Sequence, residues 1–254
     1  MTKTTKPRTR RFPIRRRLVQ HCLVAAQGLL LLTFAGVGHA QEKSVKPGIN
    51  DPFKDPDLKK FQETFEGESR EIFAKRAEIA SACHLKPGMK VADIGAGTGL
   101  FTRLFATSVG ADGRVYAVDI SQKFLDHIAA KCKEEKLSNV TYVLCTATST
   151  ELPPASIDVA FVCDTYHHFE FPYRTLASIH QALKPNGQLI VIDFHRIEGK
   201  SRDWVLQHVR AGEEVFKREI LEAGFEPAGK ETMLSENYFL RFRKRPMESK
   251  AGEP

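Results

Sequence analysis

Nine residues constrain this chain more than any others: Val91-Ala92-Asp93-Ile94-Gly95-Ala96-Gly97-Thr98-Gly99. A short apolar run closes on Asp93 and Ile94, three alternate glycines follow, and the residues from Leu100 read as the start of a helix. Strand, tight turn and helix in that order form the first half of a nucleotide-binding βαβ unit. Alternate glycines let the backbone turn sharply and let a ligand lie against it with no Cβ in the way. The helix N-terminus behind them presents free N–H groups. A dinucleotide fingerprint, G-x-G-x-x-G, would put its third glycine at position 100, which is Leu. That counts against an NAD-linked reductase.

Three downstream stretches extend the pattern. Residues 115–120 form a second apolar strand closing on Asp119. A carboxylate about 20 residues past the glycines can accept hydrogen bonds from both hydroxyls of a ribose. Residues 157–164 (IDVAFVCD) are a third apolar run ending in an acid, and residues 183–194 read as a helix end, a Pro-Asn-Gly turn and another buried strand. A G-x-G-x-G turn with an acid two residues before it, followed by these strands in this order, resembles the motifs of class I S-adenosylmethionine-dependent methyltransferases. The resemblance covers roughly residues 66–245. It is similar in particular to predicted exported bacterial methyltransferases with the same Tyr-His-His-Phe and Asp-Phe-His-Arg runs, and more distantly to quinone-pathway C-methyltransferases.

The resemblance implies an α/β fold: a Rossmann-like, seven-stranded, mostly parallel sheet with a C-terminal antiparallel hairpin and helices on both faces. It implies S-adenosyl-L-methionine as cofactor, held at Asp93, Gly95, Ala96, Gly97, Gly99, Asp119, Ile120, Thr148 and Asp164. One position departs from the pattern. In many relatives an acid four residues before a Leu-Pro pair binds the adenine amino group, and here Leu152-Pro153 puts Thr148 at that place. Its hydroxyl, or that of Thr146, offers an acceptor without the charge.

Loops beyond the C-terminal strand ends of an open parallel sheet form its ligand crevice. Asp164-Thr165-Tyr166-His167-His168-Phe169 follows one such strand and His195-Arg196 follows another. His167, His168 and His195 are therefore the candidates to orient or deprotonate a methyl acceptor, because an imidazole titrates near neutral pH. The alternative is that one adjacent histidine caps a helix and the other packs on a neighbour. A zinc site is not expected: neighbouring histidines rarely point the same way, and no Cys or acid stands at ligand spacing.

Between these motifs, helical periodicity covers 66–83, 100–108, 121–135 (capped by Ser121), 172–183 and 201–223, the last with Gly212 as a point of breakage. Further strands are expected at 140–145, 227–233 and 238–244. Asn237 and Tyr238 fall where substrate-facing residues often occur in relatives, while Arg241 and Arg243 read as the solvated side of an edge strand. Glu66, Glu68 and Arg70 either reach the cofactor pocket or simply face solvent. Cys83, Cys132, Cys145 and Cys163 read as buried thiols with no bridge among them.

The ends read differently. Residues 1–40 carry eight basic side chains and no acid, then a mostly apolar run around Leu29-Leu30-Leu31-Leu32, then Gly38-His39-Ala40. This is the layout of a secretory signal peptide cleaved after Ala40, and it implies an exported, periplasmic protein. An uncleaved anchor helix is the alternative, and through it the membrane would be touched. Residues 41–65 are a linker or an arm across the domain, and 246–254 a tail. Formal charge is +7, from 38 basic and 31 acidic residues, but the leader holds eight of the basic ones. The rest is close to neutral, which is no basic face for nucleic acid. With no appended recognition domain, the expected partner is a small-molecule substrate. Oligomeric state is not legible. Because the cofactor is made in the cytoplasm, a rival is an exported, non-catalytic nucleoside-binding protein that keeps the fold.

Overall fold

The central strands are buried on both faces, and successive residues join different cores: Ala160 and Val162 one, Val159 and Phe161 the other. The computed structural model describes residues 41–67 and 70–245; the proposed leader, Glu68 and the tail lie outside the described residues. Seven strands form one sheet: β1 (Lys90–Ile94), β2 (Arg114–Asp119), β3 (Val140–Leu144), β4 (Ile157–Cys163), β5 (Leu183–Phe194), β6 (Phe225–Glu231) and β7 (Asn237–Lys244). Their spatial order is β3-β2-β1-β4-β5-β7-β6. Strands β1 to β5 pair in parallel, and β7 is antiparallel to both β5 and β6. This is the expected mostly parallel sheet with its terminal hairpin.

Helices cover both faces. The early ones are α1 (Leu58–Phe65), α2 (Glu71–Ala74), α3 (Arg76–Ala82), α4 (Leu100–Val109) and α5 (Gln122–Glu134). Ile79 of α3 with Phe101 and Phe105 of α4 pack on Val91, Val115, Val159 and Phe161. On the other face, α6 (Pro172–Ala182) and α8 (Glu213–Glu222) bring Leu176, Ile179, Phe216 and Ile220 onto Ala92, Ala160, Val162 and Val191. The short α7 (Asp203–His208) follows β5. Among the described residues no helix is long and apolar enough to cross a membrane.

Several elements differ from expectation. The helix expected over 66–83 is two short ones, broken at Lys75 (φ −98°, ψ 15°). The helix expected over 201–223 breaks where Gly212 suggested, into α7 and α8, with Gly212 the N-cap of the second. Ser121 stands at the N-cap of α5, but its hydroxyl is buried without a partner and does not cap. The Pro-Asn-Gly turn lies inside β5: Ile157 pairs with Leu183 and Val159 with Gln188, so residues 184–187 bulge opposite Asp158, whose carboxylate accepts from Lys184 (2.7 Å). Arg241 is buried, not solvated, because Glu231 (2.8 Å) and the carbonyl of Ala82 take its guanidinium.

Residues 41–65 are an arm across the domain. Val45 N–H donates to the carbonyl of Glu170 (2.9 Å), and Asn50 Nδ2 donates to the carbonyl of His168 (3.1 Å). Phe53 and Phe61 meet at 5.2 Å with their rings tilted by 37°, and both contact Phe124 of α5. The described cysteines 83, 132, 145 and 163 are free thiols.

Candidate active site

The glycine turn is shaped by what lies against it. Gly95 has φ +73°, and a Cβ there would collide with the side chain of Thr165 from the loop after β4. Gly99, at φ +79°, is the N-cap of α4, and a Cβ on it would come 2.7 Å from Ile128 of α5. The first keeps the crevice open where two loops meet. The last lets α4 and α5 close on each other and is not among the residues that line the crevice, where a cofactor contact was expected of it.

A cavity of about 560 Å³ opens beyond the C-terminal ends of β1, β2, β4 and β5. Asp93, Gly95, Ala96, Gly97, Asp119 and Ile120 line one part of it. Asp119 ends β2 and is held by two backbone donors, Gly97 N–H (2.9 Å) and Ser121 N–H (2.8 Å). Burial pushes its carboxyl up to about 6, against those two bonds. Asp93 accepts from Thr102 Oγ1 (2.6 Å), and burial raises it to about 7. Thr146, Ala147, Ser149 and Thr150 continue the wall where an adenine ring would lie. Thr148 is absent from that wall; Thr146 stands there instead.

Asp164 also lines the cavity but is engaged. Its carboxylate pairs with Arg70 and accepts from Asn237 Nδ2 (2.6 Å), at a left-handed φ of 47°. Burial still raises its carboxyl above the usual range. Arg70 therefore reaches the pocket, whereas Glu66 turns to Arg103 (3.5 Å). Asn237 acts here through Asp164.

The other end of the cavity is lined by histidines and aromatic rings. Tyr166-His167-His168 forms a short 3-10 turn after β4. Its anchor is Tyr166, fully buried, whose hydroxyl donates to Glu219 of α8 (3.0 Å), itself held bidentately by Arg210 (2.9 and 2.6 Å). His167 is buried: its N–H donates to Asp193 Oδ2 (3.0 Å) and its Nδ1 lies 2.8 Å from Asp193 Oδ1. A carboxylate accepts, so Nδ1 carries a proton and Nε2 is the nitrogen left for another partner. Nε2 of His168 lies 3.2 Å from Nε2 of His208, the last residue of α7. Burial, together with the imidazoles alongside, lowers His168 to about 2; burial and His167 lower His208 to about 4. Phe53, Phe194 and Trp204 wall this end.

His195 is a correction. It lies past β5 as expected but off the cavity wall, beside Glu213 (3.7 Å) and against the ring of Tyr238. The adjacent pair does not point apart as expected: the rings of His167 and His168 stand 4.3 Å from each other. The sequence reading missed Asp193, His208, Phe53 and Trp204. A lone acid inside the apolar run of β5, and a Trp and His four apart on one helix face, were the available signals.

Residues 92–191 match the methyltransferase-domain family. With the sheet order and the glycine turn, this match makes the chain similar to the class I S-adenosylmethionine-dependent methyltransferases, whose fold it shares. Its relatives can be named more closely. The chain is 32% identical over 123 residues to the ubiquinone/menaquinone biosynthesis C-methyltransferase UbiE of Shewanella pealeana, covering 48% of this chain and 49% of that one. The same enzyme of Bordetella avium is 31% identical over 126 residues, 48% and 47% of the two chains. The chain thus spans about half the length of the curated relatives it matches. A SAM-dependent methyltransferase from Aquifex aeolicus superposes with a TM-score of 0.67 at 22% identity, over 75% of this chain and all of that one. The [4+2]-cyclase SpnF superposes at 0.59 with 19% identity, over 67% and 80%.

The residues fit the cofactor. The turn is bare of side chains where the ligand must pass, Asp119 stands at the strand tip suited to a ribose, and the cavity runs on past both to the histidines.

Proposed function

We propose that this chain transfers a methyl group to a small-molecule acceptor that carries an apolar ring. The observation that supports it is one continuous cavity, with a nucleoside cradle at one end and a histidine-and-aromatic chamber at the other. Gly95, Ala96 and Gly97 would pass the cofactor's backbone-facing side, Asp119 its sugar, Ile120 and Thr146 the adenine, and Asp93 and Arg70 its methionine end. Bound there, the cofactor supplies a methyl group already activated on a sulfonium.

The protein's own task is alignment, because displacement at the methyl is in line. Phe53, Phe194 and Trp204 would hold a flat apolar body. His167, oriented by Asp193, and His168 would meet the reacting atom, to orient it or take its proton. His168, held at about 2, and His208, at about 4, are poor bases, so proton removal would fall to His167. The curated relatives named for ubiquinone and menaquinone biosynthesis make a quinone-like ring the first acceptor class to try.

The test uses cofactor labelled in its methyl group, incubated with the purified chain and a membrane-lipid extract. We expect label in an extractable ring compound, and loss of at least 100-fold in rate when His167 and His168 are both replaced by Ala while cofactor binding persists. Full turnover by the double variant would overturn the histidine role.

A further inference from the structure

Three imidazoles from two separate elements meet in the acceptor chamber. His167 and His168 come from the turn after β4, and His208 comes from the end of α7. One ring nitrogen of each lies within 4.8 Å of the other two. Nε2 of His168 and Nε2 of His208 are 3.2 Å apart. Two nitrogens bound to one tetrahedral zinc at ~2.0–2.1 Å stand about 3.3 Å from each other. We propose that His167, His168 and His208 bind a divalent transition-metal cation of the zinc type, with its fourth position open to the cavity.

The surroundings are those of a built site. A histidine that ligates a metal usually donates its second ring nitrogen to a carboxylate, which fixes the ring and makes it more basic. His167 has that partner in Asp193, at 2.8 Å from Nδ1, and Nε2 is the nitrogen it has left to offer. Trp204 stacks on the ring of His208 (5.2 Å, 18°), and Phe53 meets His168 edge-on at 5.0 Å. Each ring is therefore held by a neighbour before any cation arrives. As a hydrogen-bonded cluster the arrangement is incomplete, since His168 Nδ1 is buried with no partner. An all-imidazole set selects zinc, copper, nickel or iron over magnesium and calcium.

Three histidines with one open position is the pattern of a zinc that acts on a bound ligand and not of one that only braces a fold. All three residues line the same cavity as the glycine turn. An acceptor hydroxyl or thiol in the fourth position would release its proton more readily, as zinc-bound water does. The site is read from its own geometry and stands whether or not the chain transfers methyl groups.

The untagged full chain, stripped with a chelator, is titrated with zinc by calorimetry and with cobalt by visible absorption. We expect one equivalent to bind, with at least tenfold weaker affinity in His208→Ala and His208→Gln, and a loss of the same order in Asp193→Asn. His208 is only partly buried, and circular dichroism checks that both variants fold. No binding by the folded chain, or wild-type affinity in both His208 variants, overturns the site. S-adenosylmethionine is titrated into the same preparation: metal binding without nucleoside binding sinks the methyltransferase reading alone, and the reverse sinks the metal site alone.

Discussion

At the scale of single residues, environment has changed the chemistry of groups whose types look ordinary in the sequence. His168 and His208 sit at about 2 and about 4, below the ~6.5 of a free imidazole. The unfolded chain takes up protons at both as pH falls below ~6.5, while the folded chain does not. Stability is therefore drained on the acid side of ~6.5 and unaffected above it. In a His168→Gln, His208→Gln double variant that drain is gone, so the variant should gain on the wild type in melting temperature between pH 7 and pH 5. Parallel curves would contradict the low values. The adjacent histidines were visible in the sequence as an ionisable cluster, but their third member was not. His208 lies 40 residues further on, and only the docking of α7 against the turn after β4 brings it within 3.2 Å of His168. Thr148 and His195 were misplaced for a related reason: a position counted along a motif fixes the strand end and not which way the loop turns after it.

At the scale of elements, the loop that carries His167 and His168 is tied to α8 by a buried polar knot. Tyr166, Glu219 and Arg210 are joined by three short hydrogen bonds, and the Glu219 and Arg210 side chains are each 8% exposed. Glu219→Ala leaves Arg210 charged and uncompensated, and removing one partner of a buried pair costs about 3–5 kcal/mol. Denaturant unfolding should show a loss of that size; a loss below ~1 kcal/mol would mean that the knot does not hold the loop. The strands and their order were legible because a short apolar run closing on an acid marks each of β1, β2 and β4. Helix lengths were less so. Apolar residues keep helical spacing through Lys75 and through 209–212, so periodicity alone ran α2 into α3 and α7 into α8. Pro and Gly in the 41–57 stretch left a linker and an ordered arm both open, and Asn50 and Phe53 supply the contacts that make it an arm over the crevice.

At the scale of the whole molecule, the arm of residues 41–65 and the sheet domain make up the described chain, and residues 1–40 are proposed as an export leader. If residues 1–40 direct export, protein recovered from the producing cell should have an intact mass beginning at Gln41; a chain retaining the leader would favour the anchor reading. The arm then begins at the cleavage point and runs directly to the roof of the pocket, where Phe65 faces Gly97. The central claim is that the crevice over the glycine turn holds S-adenosylmethionine with Asp119 on its sugar. Calorimetric titration of the purified chain with the demethylated cofactor, wild type beside Asp119→Ala, tests this most directly. Binding should be one-to-one and weaken at least tenfold in the variant, about 1.4 kcal/mol or more. No binding by the wild type, or equal binding by the two, would contradict it.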